Sequence, residues 1–228
     1  MTTPTEPTTR HAAVYRQAAD EAVQDGRLHS PTFDRNAAPV ADVLTQLLGD
    51  AKGTALEIGS GSGRHICHFA MHLPGLHFVP SDPDRLHRES VAAWARETGA
   101  SIATALAIDA STDWPTLPEV KHHGPFRLIL SMNVVHIAPF AVAEGLIAGA
   151  ATSLTPDGLL VLYGPFMENG THTGDGNATF DARLRADNPE WGLRDIGDLT
   201  ELARAAGLAA PKVIPMPANN RILAFSRA

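Results

Sequence analysis

The sequence predicts an α/β fold with a doubly wound, mostly parallel sheet and an antiparallel terminal hairpin. Short apolar segments alternate with amphipathic ones from residue 34 onward, which is typical of repeated strand–helix units. Glycines alternate between Gly59 and Gly63, where the first apolar segment ends, and two apolar segments close the chain. With 228 residues, of which 44% are hydrophobic, the chain is long enough for one globular domain with a sizeable core.

The predicted elements follow from these patterns in chain order. The predicted strands are short apolar segments, at 55–58, 77–79, 102–108, 126–131, 159–163, 213–216 and 222–226. The predicted helices have apolar residues at helical spacing or are rich in Ala, at 34–48, 64–72, 85–98, 139–154 and 196–206. The strand 126–131 is apolar throughout, as a central parallel strand should be.

The N-terminal residues differ from the rest of the chain. Residues 1–9 are rich in Thr, Pro and Glu, which offer nothing to bury and therefore predict disorder. Residues 12–24 have the pattern of a short amphipathic helix. We expect an N-terminal extension over 1–30, partly disordered or helical, and a single domain over 31–228.

A loop with glycine at every second position is the clearest functional motif. Gly59, Gly61 and Gly63 lie where the first strand should turn into a helix, and such a loop lets backbone approach a ligand closely. Glu57 precedes the loop, and Asp82 follows the next predicted strand. Ligands of open α/β sheets bind at the carboxyl ends of the strands, so these residues predict a nucleoside-cofactor site.

The glycine spacing also distinguishes between cofactors. A dinucleotide-binding loop needs its third glycine three residues after the second, and Arg64 occupies that position here. S-adenosylmethionine fits better, because it carries an ammonium group for Glu57, a carboxylate for the loop amides and ribose hydroxyls for Asp82. The loop residues expected to contact it are Gly59, Ser60, Gly61 and Gly63. A dinucleotide cofactor and a purely structural glycine turn are the alternatives.

Other candidate cofactor contacts lie outside the glycine loop. Asp109 ends the third predicted strand, where it would reach the adenine amino group or else cap a turn. Asp82 has the alternative of capping the next helix. Asn133, after the fourth predicted strand, is expected at the junction between cofactor and substrate, and Arg35 with Asn36 is expected to close over the cofactor.

Composition limits the compartment and the partners. The net charge of −7 argues against a general nucleic-acid binder. The single cysteine, Cys67, cannot form an internal disulfide, and no apolar run approaches a membrane span, so we expect a cytoplasmic protein with a small-molecule partner. His65, His68 and His72 share a helix face but lack a completing carboxylate or cysteine in a known pattern, so no metal site is expected.

Several motifs together resemble one protein family. They are Arg35-Asn36, the loop 56–65, Leu73-Pro74-Gly75-Leu76, Pro80-Ser81-Asp82-Pro83-Asp84, Asn133 with His136-Ile137, Tyr163-Gly164-Pro165-Phe166, Phe180-Asp181, Asn188-Pro189-Glu190-Trp191-Gly192, Arg194-Asp195 and Met216-Pro217-Ala218-Asn219-Asn220. On these motifs the chain resembles the class I methyltransferase family that includes the animal methyltransferase-like protein twenty-six and its bacterial relatives. The resemblance implies a Rossmann-like class I methyltransferase fold and S-adenosylmethionine binding, but no substrate. Glycines around Gly174 replace the family's usual serine-rich sequence, which leaves substrate specificity open.

The polar segment 164–195 is expected to form the substrate side of the site, because so long a connection in a compact domain is usually functional. Asp181 and Arg185 stand at helical spacing and are expected to pair. Methyl transfer from a sulfonium needs alignment and often the removal of one proton. His136 is the best-placed base by sequence, and Tyr163 and His172 are the other catalytic candidates; each has a structural role as its alternative.

The sequence therefore predicts an S-adenosylmethionine-dependent methyltransferase that acts on a small molecule. Its composition, rich in Ala, Asp and His, is associated with GC-rich bacterial genomes, where such folds often serve specialised metabolism. One alternative is an enzyme that uses the same cofactor site for a non-methylating displacement or cyclisation. A second is a cofactor-binding protein without turnover.

Overall fold

The computed structural model describes residues 25–228. The segments 1–9 and 12–24, predicted as disordered and helical, lie outside the described residues. The division into an extension over 1–30 and a domain over 31–228 stays a prediction. No helix within residues 25–228 is long and apolar enough to cross a membrane.

Within residues 25–228, eight strands form two sheets. The strands are β1 Gly53–Ile58, β2 Leu76–Ser81, β3 Phe126–Met132, β4 Leu154–Pro165, β5 Met167–Glu168, β6 Thr171–His172, β7 Lys212–Pro215 and β8 Asn220–Ser226. Six of them form the central sheet in the order β2-β1-β3-β4-β8-β7, while β5 and β6 form a separate hairpin. The first four strands of the central sheet are parallel, and β8 and β7 are antiparallel to their neighbours. This arrangement confirms the predicted fold class, including the terminal hairpin.

Helices cover both faces of the sheet. They are α1 Phe33–Leu48, α2 Arg64–His72, α3 Arg85–Thr98, α4 Pro118–His123, α5 Phe140–Ser153, α6 Asp175–Asp187 and α7 Ile196–Ala205. Leu56 and Ile129 belong to a core shared with α5 and α7, whereas Ala55 and Leu128 belong to a core shared with α1, α2 and α3. Successive strand residues point to opposite faces, so each central strand contributes to both cores.

The prediction of a regular strand at 102–108, after α3, is wrong. Ile102 and Leu106 form only isolated parallel bridges, to Phe78 and Ser81 of β2. Leu106 donates its N–H to the carbonyl of Pro80 at 2.9 Å. Because Pro80 has no amide hydrogen to donate to the neighbouring segment, a regular ladder cannot form along this edge.

The carboxyl ends of the four parallel strands share one edge of the sheet, and the polar segment starts there. Because β8 runs antiparallel to β4, with Asn220 opposite Pro165, the turn between β7 and β8 lies at this edge too. The β5–β6 hairpin follows β4, and α6 follows the hairpin. The topology therefore brings the glycine loop, the polar segment and the last turn to one side of the sheet.

Candidate functional site

The glycine loop is held against the end of β2 by backbone hydrogen bonds. Gly59 and Ser60 both donate their N–H to the carbonyl of Ser81, at 2.9 and 2.8 Å. Ser81 donates its own N–H to Ser60 Oγ at 3.2 Å. On the other side of β1, Ser131 Oγ donates to the carbonyl of Ile58 at 2.9 Å. The loop is thus fixed to both neighbouring strands.

Asp82 connects the glycine loop with the start of α3. Its Oδ2 accepts the N–H of Gly61 at 2.9 Å, and its Oδ1 accepts the N–H of Asp84 at 2.9 Å. His87 Nδ1 lies 3.0 Å from the same Oδ1. The helix-capping role belongs to Asp84, whose side chain accepts the N–H of Leu86 at 2.8 Å. The side chain of Asp82 therefore lines one side of the glycine loop.

Glu57 is a buried carboxylate at the end of β1. It is 2% exposed, and its Oε2 has no hydrogen-bond partner among residues 25–228. Burial raises the pKa of Glu57 from 4.5 to about 8; the hydrogen bond with Ser60 lowers it, and the nearby charge of Asp82 raises it further. A cation brought to Oε2 would restore the ionised form and supply the missing partner.

Two glycines show which side of the loop is open. A Cβ on Gly59 would lie 2.5 Å from Val134 Cγ2, so this position is closed by the protein itself. A Cβ on Gly61, whose φ is +54°, would meet no heavy atom of the described chain within 4 Å. A ligand therefore has room to approach the backbone at Gly61.

Arg35 and Asn36 lie in the first turn of α1. Arg35 Nε donates to Asn36 Oδ1 at 3.0 Å. Asn36 is 2% exposed, and its Nδ2 has no acceptor within residues 25–228. The charge of Arg35 acts on the end of β4, because burial raises the pKa of Tyr163 while the hydrogen bond from Asn220 and the charge of Arg35 lower it. The pair thus combines a cation with an unsatisfied buried amide donor.

The other two predicted cofactor contacts have local roles. Asp109 Oδ1 accepts the N–H of Ser111 at 2.9 Å and its Oγ–H at 2.7 Å, so Asp109 forms the turn that the sequence offered as an alternative. Asn133 has a left-handed φ of 57°, and its N–H bonds to the carbonyl of Tyr163 at 2.8 Å. Asn133 therefore lies between the ends of β3 and β4. Cofactor contact by either residue stays a prediction.

His136 and Tyr163 are both buried at this edge. His136 is 1% exposed. Burial and, to a smaller extent, the charge of Arg194 lower the pKa of His136 from 6.5 to about 3. Its Nδ1 has no partner among the residues that the structure describes. Tyr163 Oη accepts a hydrogen bond from Asn220 Nδ2 at 2.9 Å. Both are neutral near pH 7, and a proton on His136 would be costly.

His172 belongs to an ionic network. Its Nε2 lies 3.0 Å from Asp181 Oδ2, which also accepts from Arg185 Nε at 3.1 Å. Asp181 Oδ1 accepts the N–H of Leu193 at 2.7 Å. Burial acts to raise the pKa of Asp181, but the bonds from Leu193, Arg185 and His172 outweigh it and lower the pKa. The expected Asp181–Arg185 pair is present, and His172 joins it.

Hydrogen bonds attach this network to the last turn of the sheet. Asn177 Nδ2 donates to Thr173 Oγ1 at 2.8 Å and to the carbonyl of Asn219 at 3.3 Å. We call the residues of this region the polar cluster: His172, Thr173, Asn177, Asp181, Arg185 and Asn219. Beside it is a cavity of about 590 Å³ whose lining includes Phe140, Arg185 and Leu193.

Sequence reasoning missed two of these partnerships. In the sequence, Asn220 stands out only as the last residue of the motif 216–220, whereas in the structure its side chain donates a hydrogen bond to Tyr163 Oη. The helical spacing predicts the pair of Asp181 with Arg185 and does not indicate His172 as a further partner. The register of β8 on β4 places Asn220 opposite Pro165 and could have suggested the contact between Asn220 and Tyr163. No periodic pattern indicates the contact between His172 and Asp181.

The histidines of α2 form an aromatic cluster. The ring of Phe33 lies 5.2 Å from that of His65 and 5.5 Å from that of His68, centroid to centroid. Burial lowers the pKa of His65 to about 4. Among residues 25–228, no group of three or more His, Cys, Asp or Glu side chains is arranged to hold a metal ion.

Comparison with known proteins assigns the chain to a family and its fold to a class. Residues 27–227 match the model of a family described as "Protein of unknown function (DUF938)", and the chain belongs to that family. The fold is that of Rossmann-like class I methyltransferases. The finer resemblance to the family of methyltransferase-like protein twenty-six stays a prediction.

Solved structures of similar fold include several methyltransferases. An O-methyltransferase family protein from Burkholderia thailandensis has a TM-score of 0.70 and 17% identity, covering 84% of this chain and 56% of that one. Human N-acetylserotonin methyltransferase, in complex with S-adenosylmethionine, has a TM-score of 0.72 and 14% identity, covering 97% and 60%. An O-methyltransferase family 2 protein from Planctomyces limnophilus, in complex with apigenin, has a TM-score of 0.68 and 20% identity, covering 85% and 57%. The chain thus spans little more than half the length of these proteins.

Proposed function

We propose that this chain is an S-adenosylmethionine-dependent methyltransferase that acts on a small molecule, related to the family of methyltransferase-like protein twenty-six. The buried carboxylate of Glu57 carries the proposal. Its Oε2 has no partner in the described part of the chain, and it lies two residues before the loop whose open side is at Gly61. An unpaired buried carboxylate is costly, and the ammonium group of the cofactor's methionine part would pair it.

The remaining residues suit the other parts of this cofactor. Asp82, which lines one side of the glycine loop, would take the ribose hydroxyls, and Asp109 the adenine amino group. Arg35 and the unsatisfied Nδ2 of Asn36 offer a cation and a donor to the cofactor's carboxylate. Asn133 would lie where cofactor and acceptor meet. The solved structures of similar fold support the same assignment, since one of them holds S-adenosylmethionine.

The acceptor is proposed to be a small molecule of bacterial specialised metabolism. The cavity of about 590 Å³ beside the polar cluster has the size of a small-molecule site. Neighbours of similar fold include the mitomycin 7-O-methyltransferase MmcR and the protein that holds apigenin. The metabolic role rests on composition alone. The cofactor supplies a methyl group on a sulfonium, and the chain would supply alignment and exclusion of water, with His136, Tyr163 and His172 as the candidate catalytic residues.

Calorimetric titration tests the cofactor assignment. We expect S-adenosylmethionine and S-adenosylhomocysteine, but not NADH, to bind the wild-type protein, and Asp82→Ala to weaken both strongly. Glu57→Gln should weaken S-adenosylhomocysteine about 100-fold, since a desolvated ion pair is lost. It should leave methylthioadenosine, which lacks the amino-acid part, almost unaffected. Glu119→Gln, an exposed change in α4, is the matched control.

Two results would contradict the proposal. Binding of NADH in preference to the sulfur nucleosides would return the site to a dinucleotide cofactor. An equal loss of affinity for S-adenosylhomocysteine and for methylthioadenosine in Glu57→Gln would mean that Glu57 does not pair with the ammonium group. Product mass then separates the chemistries: a gain of one methylene unit indicates methylation, whereas a different gain indicates another displacement or a cyclisation.

A further inference from the structure

The contacts of Asp181 determine which nitrogen of His172 carries a proton. Asp181 accepts from the Leu193 amide through Oδ1 and from the Arg185 guanidinium through Oδ2, at 2.7 and 3.1 Å. These bonds favour the ionised carboxylate, which can only accept hydrogen bonds. The contact of 3.0 Å between Asp181 Oδ2 and His172 Nε2 therefore requires the proton on Nε2. The lone pair of His172 is then on Nδ1.

From this geometry we propose that His172 is the general base of the methyl transfer, acting through Nδ1, and that Asp181 is its positioning residue. The acceptor is then a hydroxyl group that still carries its proton when it binds. This assignment rests on the proposed function, because it names the acceptor class for the same site.

The surroundings of the three catalytic candidates favour His172. A general base must hold a positive charge after it takes the proton, so a nearby carboxylate assists it. His172 has Asp181, whose Oδ2 also accepts from the Arg185 cation, and the His172 side chain is 29% exposed, so an acceptor can reach the ring. His136 is enclosed, with the cation Arg194 nearby, and its backbone carbonyl accepts the N–H of Gly192 at 3.0 Å. Tyr163 Oη is occupied by Asn220.

The network also fixes where His172 lies. In the β5–β6 hairpin, which follows β4 directly, His172 pairs with Met167. Asn177 attaches α6 to the carbonyl of Asn219 in the last turn of the sheet. Helix α6 is further joined to the region of His136, because the ring of Phe180 lies 5.7 Å from the ring of His136. His172 is therefore attached on several sides to the edge that carries the proposed cofactor site.

The step balances as a single displacement. The acceptor O–H gives its proton to His172 Nδ1 as the oxygen forms a bond with the methyl carbon. The bond between that carbon and the sulfonium sulfur breaks, and its electron pair stays on sulfur as a neutral thioether. His172 becomes an imidazolium beside the Asp181 carboxylate and then releases its proton to solvent.

Two acceptors of different acidity test the base. Phenol keeps its proton at neutral pH, whereas pentafluorophenol is ionised and needs no base. With methyl-labelled S-adenosylmethionine, His172→Gln should lower kcat for phenol about 100-fold or more and change kcat for pentafluorophenol little. His122→Gln, the same change on an exposed histidine near the amino end of β3, is the matched control. An equal effect on both acceptors would overturn the assignment.

Nitrogen NMR of the full chain tests the positioning role without turnover. We expect His172 of the wild-type protein to have a protonated Nε2 and an unprotonated Nδ1, and Asp181→Asn to abolish this preference. The opposite tautomer, or an unchanged ring in Asp181→Asn, would overturn the role of Asp181. If the protein binds S-adenosylmethionine but methylates only amines or thiols, or no hydroxyl acceptor among phenols and alcohols, the acceptor class is wrong. Absent cofactor binding would instead overturn the proposed function.

Discussion

The two halves of the carboxyl edge are built from different interactions. On the β1–β2 side, the amides of Gly59 and Ser60 bind the Ser81 carbonyl, so backbone meets backbone. On the β4–β8 side, the hydrogen bonds of the polar cluster are made by side chains, such as those of His172 and Asp181. The conformation of the glycine loop thus depends first on its backbone, to which the side chains of Ser131 and Asp82 add hydrogen bonds, whereas the polar cluster depends on which side chains meet.

This difference predicts how each half fails. A side chain added to the glycine loop displaces backbone, which costs free energy of folding. A substitution in the polar cluster leaves the backbone in place but removes hydrogen bonds that orient side chains such as that of His172. Substitutions in the first half should therefore change stability and cofactor binding, and substitutions in the second should change proton transfer and local opening.

Gly63→Ala should have the largest effect. Gly63 has a φ of +86°, and a Cβ would lie 2.5 Å from Val91 Cα, a backbone atom that cannot rotate away. We expect urea unfolding to show a loss of about 3 to 4 kcal/mol. Gly99→Ala is the control, because Gly99 has a φ of +69° but no described heavy atom within 4 Å of a Cβ, and should lose about 1 kcal/mol. Similar losses in both variants would remove the steric argument.

Glu57→Gln should stabilise the ligand-free protein while it weakens binding of S-adenosylhomocysteine. The pKa of Glu57 rises from 4.5 to about 8 on folding, so the folded state resists the charged form that the unfolded chain adopts at pH 7. Removing this cost should add about 2 to 3 kcal/mol to the free energy of unfolding at pH 7. Urea unfolding at pH 7 measures it. A loss of stability would mean that the carboxylate is paired within the protein.

Asp181→Asn should open the polar cluster without unfolding the glycine loop. The variant weakens the bonds from Leu193, Arg185 and His172, and we expect a loss of about 2 kcal/mol. Hydrogen exchange should accelerate at the Leu193 amide and stay unchanged at the Gly61 amide. Asp187→Asn, at the exposed end of α6, should change neither rate. Faster exchange at Gly61 would show that the two halves open together.

Cofactor affinity and stability should depend on pH through Glu57. The free energy of unfolding of the ligand-free protein should fall as the pH rises from 4.5 towards 8, by up to about 1.4 kcal/mol per pH unit. The sign follows because the folded state binds the proton of Glu57 more tightly than the unfolded chain. Affinity for S-adenosylhomocysteine should rise over the same range, by up to about tenfold per unit. Both slopes should flatten in Glu57→Gln, and a slope unchanged in that variant would assign the titration to another group.

Ala218→Gly should have the smallest effect, and it should be stabilising. Ala218 has φ 57° and ψ 39°, a left-handed conformation that costs an alanine more than a glycine. Thermal unfolding should show a gain of about 0.5 kcal/mol after the entropic cost of glycine. Ala206→Gly, where φ is −84°, should lose about 0.5 to 1 kcal/mol. A loss in both variants would mean that the turn is not strained.

Much of the fold could be predicted because its signals are local. The helices Arg64–His72 and Arg85–Thr98 have the predicted bounds, since a glycine loop and an aspartate cap mark their starts. The edge segment containing Ile102 could not be assigned correctly from its own residues, because its pairing depends on Pro80 in the neighbouring strand. Periodicity reports which residues are buried and does not report what a partner strand can donate.

The sequence by itself determined the glycine loop, its two acidic neighbours and the class of fold, because each depends on residues a few positions apart. Only the tertiary structure decided that Oε2 of Glu57 lacks a partner among the described residues and that His172 meets Asp181. Such contacts depend on how a hairpin and a helix pack over the sheet edge. Packing is set by the sum of many distant contacts, and no single spacing along the chain encodes it.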